Sequence, residues 1–224
     1  MLSVIDLSVQ FNGKQTLNKI TFHVSNHDLV IFSGKNGCGK STLIKALMGL
    51  VIPNSGTITL DNTSILGMTP FHIREHGLRY LPQTAPVFPD LTVKQNLGIS
   101  QFATDDSLEG WDDIYRAFNF ESMLSGFINK KAGLLSKGQR QLLALAMTFR
   151  KYAKVFLLDE PFAPLSIEIK EALGNKMKEI AQKVNTGYLI VEHEKGVTKK
   201  IGNKFYDLII ENDGSVLKES YSNV

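Results

Sequence analysis

Gly34-Lys35-Asn36-Gly37-Cys38-Gly39-Lys40-Ser41-Thr42 has the spacing Gly, four residues, Gly-Lys-Ser. That spacing makes a loop whose backbone N–H groups turn inward around phosphate oxygens. Glycines are required there because a Cβ would crowd the conformations involved. A helix beginning near Lys40 adds the positive end of its dipole. Lys40 is then expected to reach the β- and γ-phosphates of a nucleotide, and the Ser41 hydroxyl to ligate Mg²⁺. A second constellation is Val155-Phe156-Leu157-Leu158-Asp159-Glu160, an apolar strand that ends in two carboxylates. Ligands of open α/β sheets bind at the carboxyl ends of strands, so Asp159 is expected to hold Mg²⁺ directly or through water. Glu160 is the candidate general base for an attacking water.

The elements that must carry these groups follow from hydrophobic patterning. Ser3 to Phe11 alternates, and Leu17 to Val24 follows the turn Asn12-Gly13-Lys14. Leu29 to Phe32 is a continuous apolar run, as in a strand buried on both faces. A helix is expected from Lys40 to Leu50, then strands over Gly56 to Asp61 and Leu78 to Leu81. From about Pro86 to Lys151 the pattern is helical, with helices over Thr92 to Leu97, Leu108 to Leu124 and Ser136 to Arg150. Strands return at Val155 to Leu158, Tyr188 to Val191 and Phe205 to Ile210, with a helix over Ser166 to Val184. The alternation predicts an α/β fold with a mainly parallel sheet. We expect one domain over 1–224, its core at about 1–85 and 152–224 and a helical lobe inserted at about 86–151.

Composition narrows the classes. The chain has 224 residues, 25 Lys+Arg and 22 Asp+Glu, hence a net charge of +3. Near-balance gives no reason to expect nucleic acid as a partner. Cys38 has no second cysteine to pair with, which fits a reducing compartment. No run approaches the ~20 apolar residues that cross a bilayer, and the first residues, Met1 to Asp6, do not read as a signal peptide.

A phosphate loop alone leaves kinases and many NTPases open. Leu135-Ser136-Lys137-Gly138-Gln139, ahead of a helix, resembles the LSGGQ signature of ATP-binding cassette (ABC) proteins. Gln83 in Leu81-Pro82-Gln83 is similar to that family's Q-loop, and His193 in Val191-Glu192-His193-Glu194 to its switch histidine. Phe11 lies where the family stacks an aromatic on adenine, with a core aromatic as the competing reading. The resemblance covers essentially the whole chain. It implies a P-loop NTPase (RecA-like) core with an N-terminal antiparallel β subdomain and an inserted helical subdomain. It also implies ATP hydrolysis with Glu160, His193 and Gln83 catalytic, and Mg²⁺ held by Ser41, Gln83 and Asp159. Gly34 to Thr42 and Phe11 would bind ATP. Ser136, Lys137, Gly138 and Gln139 would meet the γ-phosphate held by a second ATP-binding subunit, identical or not. Ser136 can independently cap the helix that follows it.

The implied role is the engine of a transporter, peripheral on the cytoplasmic face of the membrane and attached to transmembrane permease subunits. Val87 to Leu97 looks similar to subunits of branched-chain amino-acid importers and lipopolysaccharide exporters. The alternative is a non-transport ABC ATPase acting as a soluble scaffold, in metal-cluster assembly or cell division. A monomeric kinase would leave the signature without a role. The sequence departs from the family at Lys137, in place of a glycine, and at Ser166, in place of an aspartate that couples the two sites. Ser166 is expected to cap the next helix instead. Cys38 reads as a small residue that fits the loop, or as a redox-sensitive thiol. Asp105, Asp106, Glu109, Asp112 and Asp113 read as a solvated face, and Trp111 among them as a possible docking residue.

Overall fold

A computed structural model describes residues 1–101, 109–193 and 196–220. Its strands are β1 Leu2–Phe11, β2 Lys14–Val24, β3 Leu29–Ser33, β4 Ser55–Leu60, β5 Thr63–Ser64, β6 Leu78–Leu81, β7 Val155–Asp159, β8 Gly187–Val191, β9 Lys204–Glu211 and β10 Gly214–Ser220. The helices are α1 Lys40–Leu47, α2 Pro70–Glu75, α3 Val93–Gln101, α4 Trp111–Ala117, α5 Phe120–Leu124, α6 Lys137–Phe149, α7 Ile167–Lys183 and α8 Gly196–Ile201.

All the strands join one sheet in the order β5-β4-β1-β2-β10-β9-β3-β8-β7-β6. The half from β9 to β6 is parallel, and β1, β2, β4 and β5 form an antiparallel wing. A single parallel pairing, Ser215 with Leu17, links β10 to β2. The expected α/β class holds. The parallel part is what the continuous apolar runs dictate, because β3, β7 and β8 are buried along their whole length. Successive residues then serve opposite cores. Leu29, Ile31, Phe156, Leu158, Tyr188 and Ile190 pack with α6 and α7 on one face. Val30, Phe32, Val155, Leu157, Leu189 and Val191 pack with α1 and the antiparallel wing on the other.

Several expectations need correction. The helix expected over Leu108 to Leu124 is two, α4 and α5, because Asn119 takes a left-handed conformation (φ 59°) between them; Leu108 lies outside the described residues, as do Asp105 and Asp106. Trp111 is not a docking residue. It is 1% exposed, stacks on Phe156 and donates its indole N–H to Phe149 O at 3.1 Å. Asp112 and Asp113 are exposed, as expected, and pair with Arg150 and Arg116.

Candidate active site

Parallel strands deliver their carboxyl ends to one edge of the sheet. At that edge β3 runs into the 34–42 loop, β8 into Glu192 and His193, β7 into Asp159 and Glu160, and β6 into Pro82 and Gln83. The four segments that the sequence singled out by motif therefore meet because of strand order, not because of proximity along the chain.

The 34–42 loop has the strained backbone its glycines allow. Gly37 and Gly39 sit at φ 79° and 93°, and a Cβ on Gly39 would lie 2.8 Å from the Leu17 side chain. Gly39 is also the N-cap of α1 and gives that helix no side-chain cap, so its first-turn N–H groups are left without a capping side chain. Lys40 is buried and donates to Gly34 O at 2.8 Å and Lys35 O at 3.0 Å. Its ammonium is thereby fixed inside the loop. Lys35 and Asn36 are exposed, and Ser41 and Thr42 are half-buried. The Cys38 thiol is fully buried, which favours the packing role over the redox one.

Asp159 is 1% exposed and its Oδ1 has no hydrogen-bond partner in the protein. Burial pushes its carboxyl above the usual range; a hydrogen bond from Ser41 opposes this, Glu160 adds to it, and Lys40 and Lys45 oppose it. A buried, orphaned carboxylate oxygen beside a hydroxyl is a donor set for a hard divalent cation, so these residues fit Mg²⁺.

Glu160 is held from both sides. Its carboxylate accepts from Gln83 Nε2 at 2.9 Å and pairs with His193 Nε2 at 2.9 Å. It also has a left-handed backbone, φ 52°, which costs a residue with a Cβ about 1–2 kcal/mol. Strain of that kind persists only where the surroundings over-determine it. Catalytic candidates Glu160, His193 and Gln83 are thus one hydrogen-bonded cluster, next to Asp159. What the sequence did not single out is Glu192, buried beside them. Its only sequence signal is a carboxylate directly after an all-apolar strand.

The signature residues stand apart. Ser136 caps α6 as expected, with a reciprocal pair: Gln139 N–H to Ser136 Oγ at 3.2 Å and Ser136 N–H to Gln139 Oε1 at 2.9 Å. Lys137 is exposed in the first turn. Gly138 is needed because a Cβ there would lie 2.8 Å from Pro164 O. Among the described residues, none of these four hydrogen-bonds to the 34–42 loop. Ser166 occupies the N-cap of α7 but makes no cap bond; its side chain meets the Glu168 carboxyl instead. Phe11 is 46% exposed at the end of β1, so it is not a core aromatic. The next residue, Asn12, and Gly37 both line a cavity of about 830 Å³ between the β1–β2 and β9–β10 turns.

Comparison with known proteins identifies the family and the fold. The family model described as ABC transporter matches residues 17–163. A probable branched-chain amino acid transport ATP-binding protein LivF of Archaeoglobus fulgidus is 32% identical over 209 residues, 93% of this chain and 88% of that protein. The spermidine/putrescine import ATP-binding protein PotA of Spiroplasma citri is 28% identical over 216 residues, and there the chain spans 60% of the relative's length. A solved ATP-binding subunit of an ABC transporter superposes with a TM-score of 0.81 at 26% identity, covering 92% of this chain and 85% of that one. A dimeric cassette bound to ADP and Pi shares the fold, with a TM-score of 0.84 at 19% identity and full coverage of both chains. The family match and the relative at 32% identity show that the chain belongs to the ABC transporter family, as an ATP-hydrolysing, ATP-binding subunit.

Proposed function

We propose that this chain is half of a two-subunit engine in which ATP completes each reaction centre across the interface. ATP binds in the 34–42 loop, with Phe11 against adenine and Lys40 on the β- and γ-phosphates. Ser41, Asp159 and Gln83 would hold Mg²⁺, which would neutralise charge on the phosphates. Glu160 draws the proton from the attacking water. His193 holds the γ-phosphate, and Gln83 links the base to the rest of the machine. Ser136, Lys137, Gly138 and Gln139 of a second ATP-binding subunit close the site from the other side. Lys137 there contributes charge where the family pattern has a glycine.

The observation that carries this reading is the Gln83–Glu160–His193 cluster beside an orphaned Asp159 oxygen. It is a carboxylate whose neighbours can report on phosphate and on a partner. On this reading the chain is attached to permease subunits and peripheral on their cytoplasmic face; among the described residues no helix is long and apolar enough to cross a membrane. An apolar groove of about 490 Å³ supports that attachment; Leu50, Phe71, Tyr80, Pro86, Ile99 and Met147 line it. Pro86 and Phe88 are exposed, which favours the docking reading of Pro86 to Pro89 over a buried turn.

The test is Glu160→Gln. Turnover should fall about 10²- to 10⁴-fold while ATP binding persists and a dimer accumulates by light scattering. Undiminished hydrolysis would remove Glu160 from the mechanism.

A further inference from the structure

Glu160 has to be kept in its strained turn by something, and the neighbouring contacts identify what does so. Its own N–H donates to Val191 O at 2.9 Å, which pins the entry of the turn to the end of β8. The exit is pinned two residues later. Phe162 N–H donates to Glu192 Oε1 at 2.8 Å, and Glu192 follows Val191 directly. Glu192 is itself fixed, because its N–H donates to Phe32 O at 3.0 Å on β3. At 4% exposure it belongs to a residue type that is almost never fully buried unless paired. A carboxylate acceptor makes a shorter and stronger bond to a backbone N–H than a neutral one would.

The pinned segment also reaches α6. Phe162 O closes a turn by accepting Leu165 N–H at 2.9 Å. Pro161 O accepts from Gln141 Nε2 at 3.1 Å, and the Gln141 side chain is buried. Gly138 packs against Pro164 O. The Glu160 turn and the start of α6 are therefore braced against the same short segment, 161–165.

We propose that Glu192 is a positioning residue for hydrolysis. It clamps the exit of the Glu160 turn, holds Glu160 in its left-handed conformation and so aims the carboxylate between Gln83 and His193. The clamp acts through the backbone of the turn, at Phe162 N–H. It rests on the reading of Glu160 as the base, and it makes a further statement about why that carboxylate points where it does.

A double-mutant cycle on the purified full chain tests it. Glu192→Leu removes the acceptor and should lower kcat about 10- to 100-fold, the size of effect that misplacement of a reacting group produces. Fluorescent-nucleotide affinity should stay within about twofold, because the 34–42 loop is untouched. Glu192→Gln keeps an acceptor oxygen and should recover most of the lost turnover. In a Glu160→Gln background, Glu192→Leu should change the residual single-turnover rate less than about twofold, since there is no base left to misaim. Should the Glu192→Leu chain not fold, Glu192→Asp, whose carboxylate is one carbon too short to reach Phe162, takes its place with the same expectations. Normal turnover in Glu192→Leu, or its full penalty carried over onto Glu160→Gln, overturns the clamp. So does a Glu192→Gln chain as damaged as Glu192→Leu. Full turnover in Glu160→Gln alone overturns instead the reading of Glu160 as base.

Discussion

Two helices proposed to meet phosphate, α1 and α6, start differently. Helix α1 opens on Gly39, left-handed and without a side-chain cap, with Lys40 folded back onto the carbonyls of its own loop. Helix α6 opens on Ser136, fully engaged in a reciprocal pair with Gln139, with Lys137 turned to solvent. The first leaves its N–H groups without a side-chain acceptor and surrounds them with a loop. The second is stable by its own capping and presents an exposed face. In the proposed scheme α1 is a phosphate site that only nucleotide satisfies, and α6 is a surface that waits for nucleotide held by another subunit. On that proposal one chain carries two half-sites, and among the described residues no hydrogen bond joins them.

That contrast can be broken at either end. Ser136→Arg should lower turnover about 100-fold, the loss expected when a donor to developing charge is removed. Single-chain nucleotide affinity should be unchanged, as titrated with a fluorescent analogue. Equal loss of binding and turnover would mean that α6 serves its own chain. Lys40→Ala should weaken nucleotide binding by about 10- to 100-fold, the value of charge-assisted hydrogen bonds. Unchanged affinity would dissociate the loop from phosphate.

The smallest effect is on stability and concerns the orphaned carboxylate between them. Asp159 is raised above its ordinary value by burial, so the folded state binds its proton more readily than the unfolded state does. Stability from this group is then lost as pH rises from the ordinary value of 3.8 through the raised one. Asp159→Asn should therefore raise the melting temperature at neutral pH by about 2–4 °C for each kcal/mol recovered while abolishing turnover. The gain should shrink on acidification. A lower melting temperature at neutral pH would mean that the ionised carboxylate is stabilising.

How much of this was legible in the sequence depended on the range of the forces involved. The runs at Leu29 to Phe32 and Val155 to Leu158 announced strands buried on both faces, because no polar residue interrupts them. The Ser136 cap was equally readable, since its partner is three residues away. Short elements were missed: β5, two residues long; α2, capped by Thr69 with Pro70 in its first turn; α8; and β10, which depends on pairing with β9. The first three are too short to show a period, and β10, Gly214–Ser220, is set by its antiparallel pairing with β9 rather than by an apolar run. Asn119 broke an expected helix through its backbone, which periodicity does not register.

At the site, Gln83 and Glu160 are 77 positions apart, and only the parallel strand order brings them together. The strand end named Glu160 and resemblance named Gln83; nothing in their spacing announced that they hydrogen-bond. Glu192 looked like any acid after a strand, and its importance comes from the strained turn it faces.

The central claim is that neither copy of the chain holds a finished reaction centre. It is tested most directly by measuring ATP turnover per chain across a dilution series, with the mass in solution determined at each point. Turnover per chain should rise with concentration in step with a dimer that forms on ATP. Constant turnover per chain down to concentrations where every particle is a monomer would contradict it.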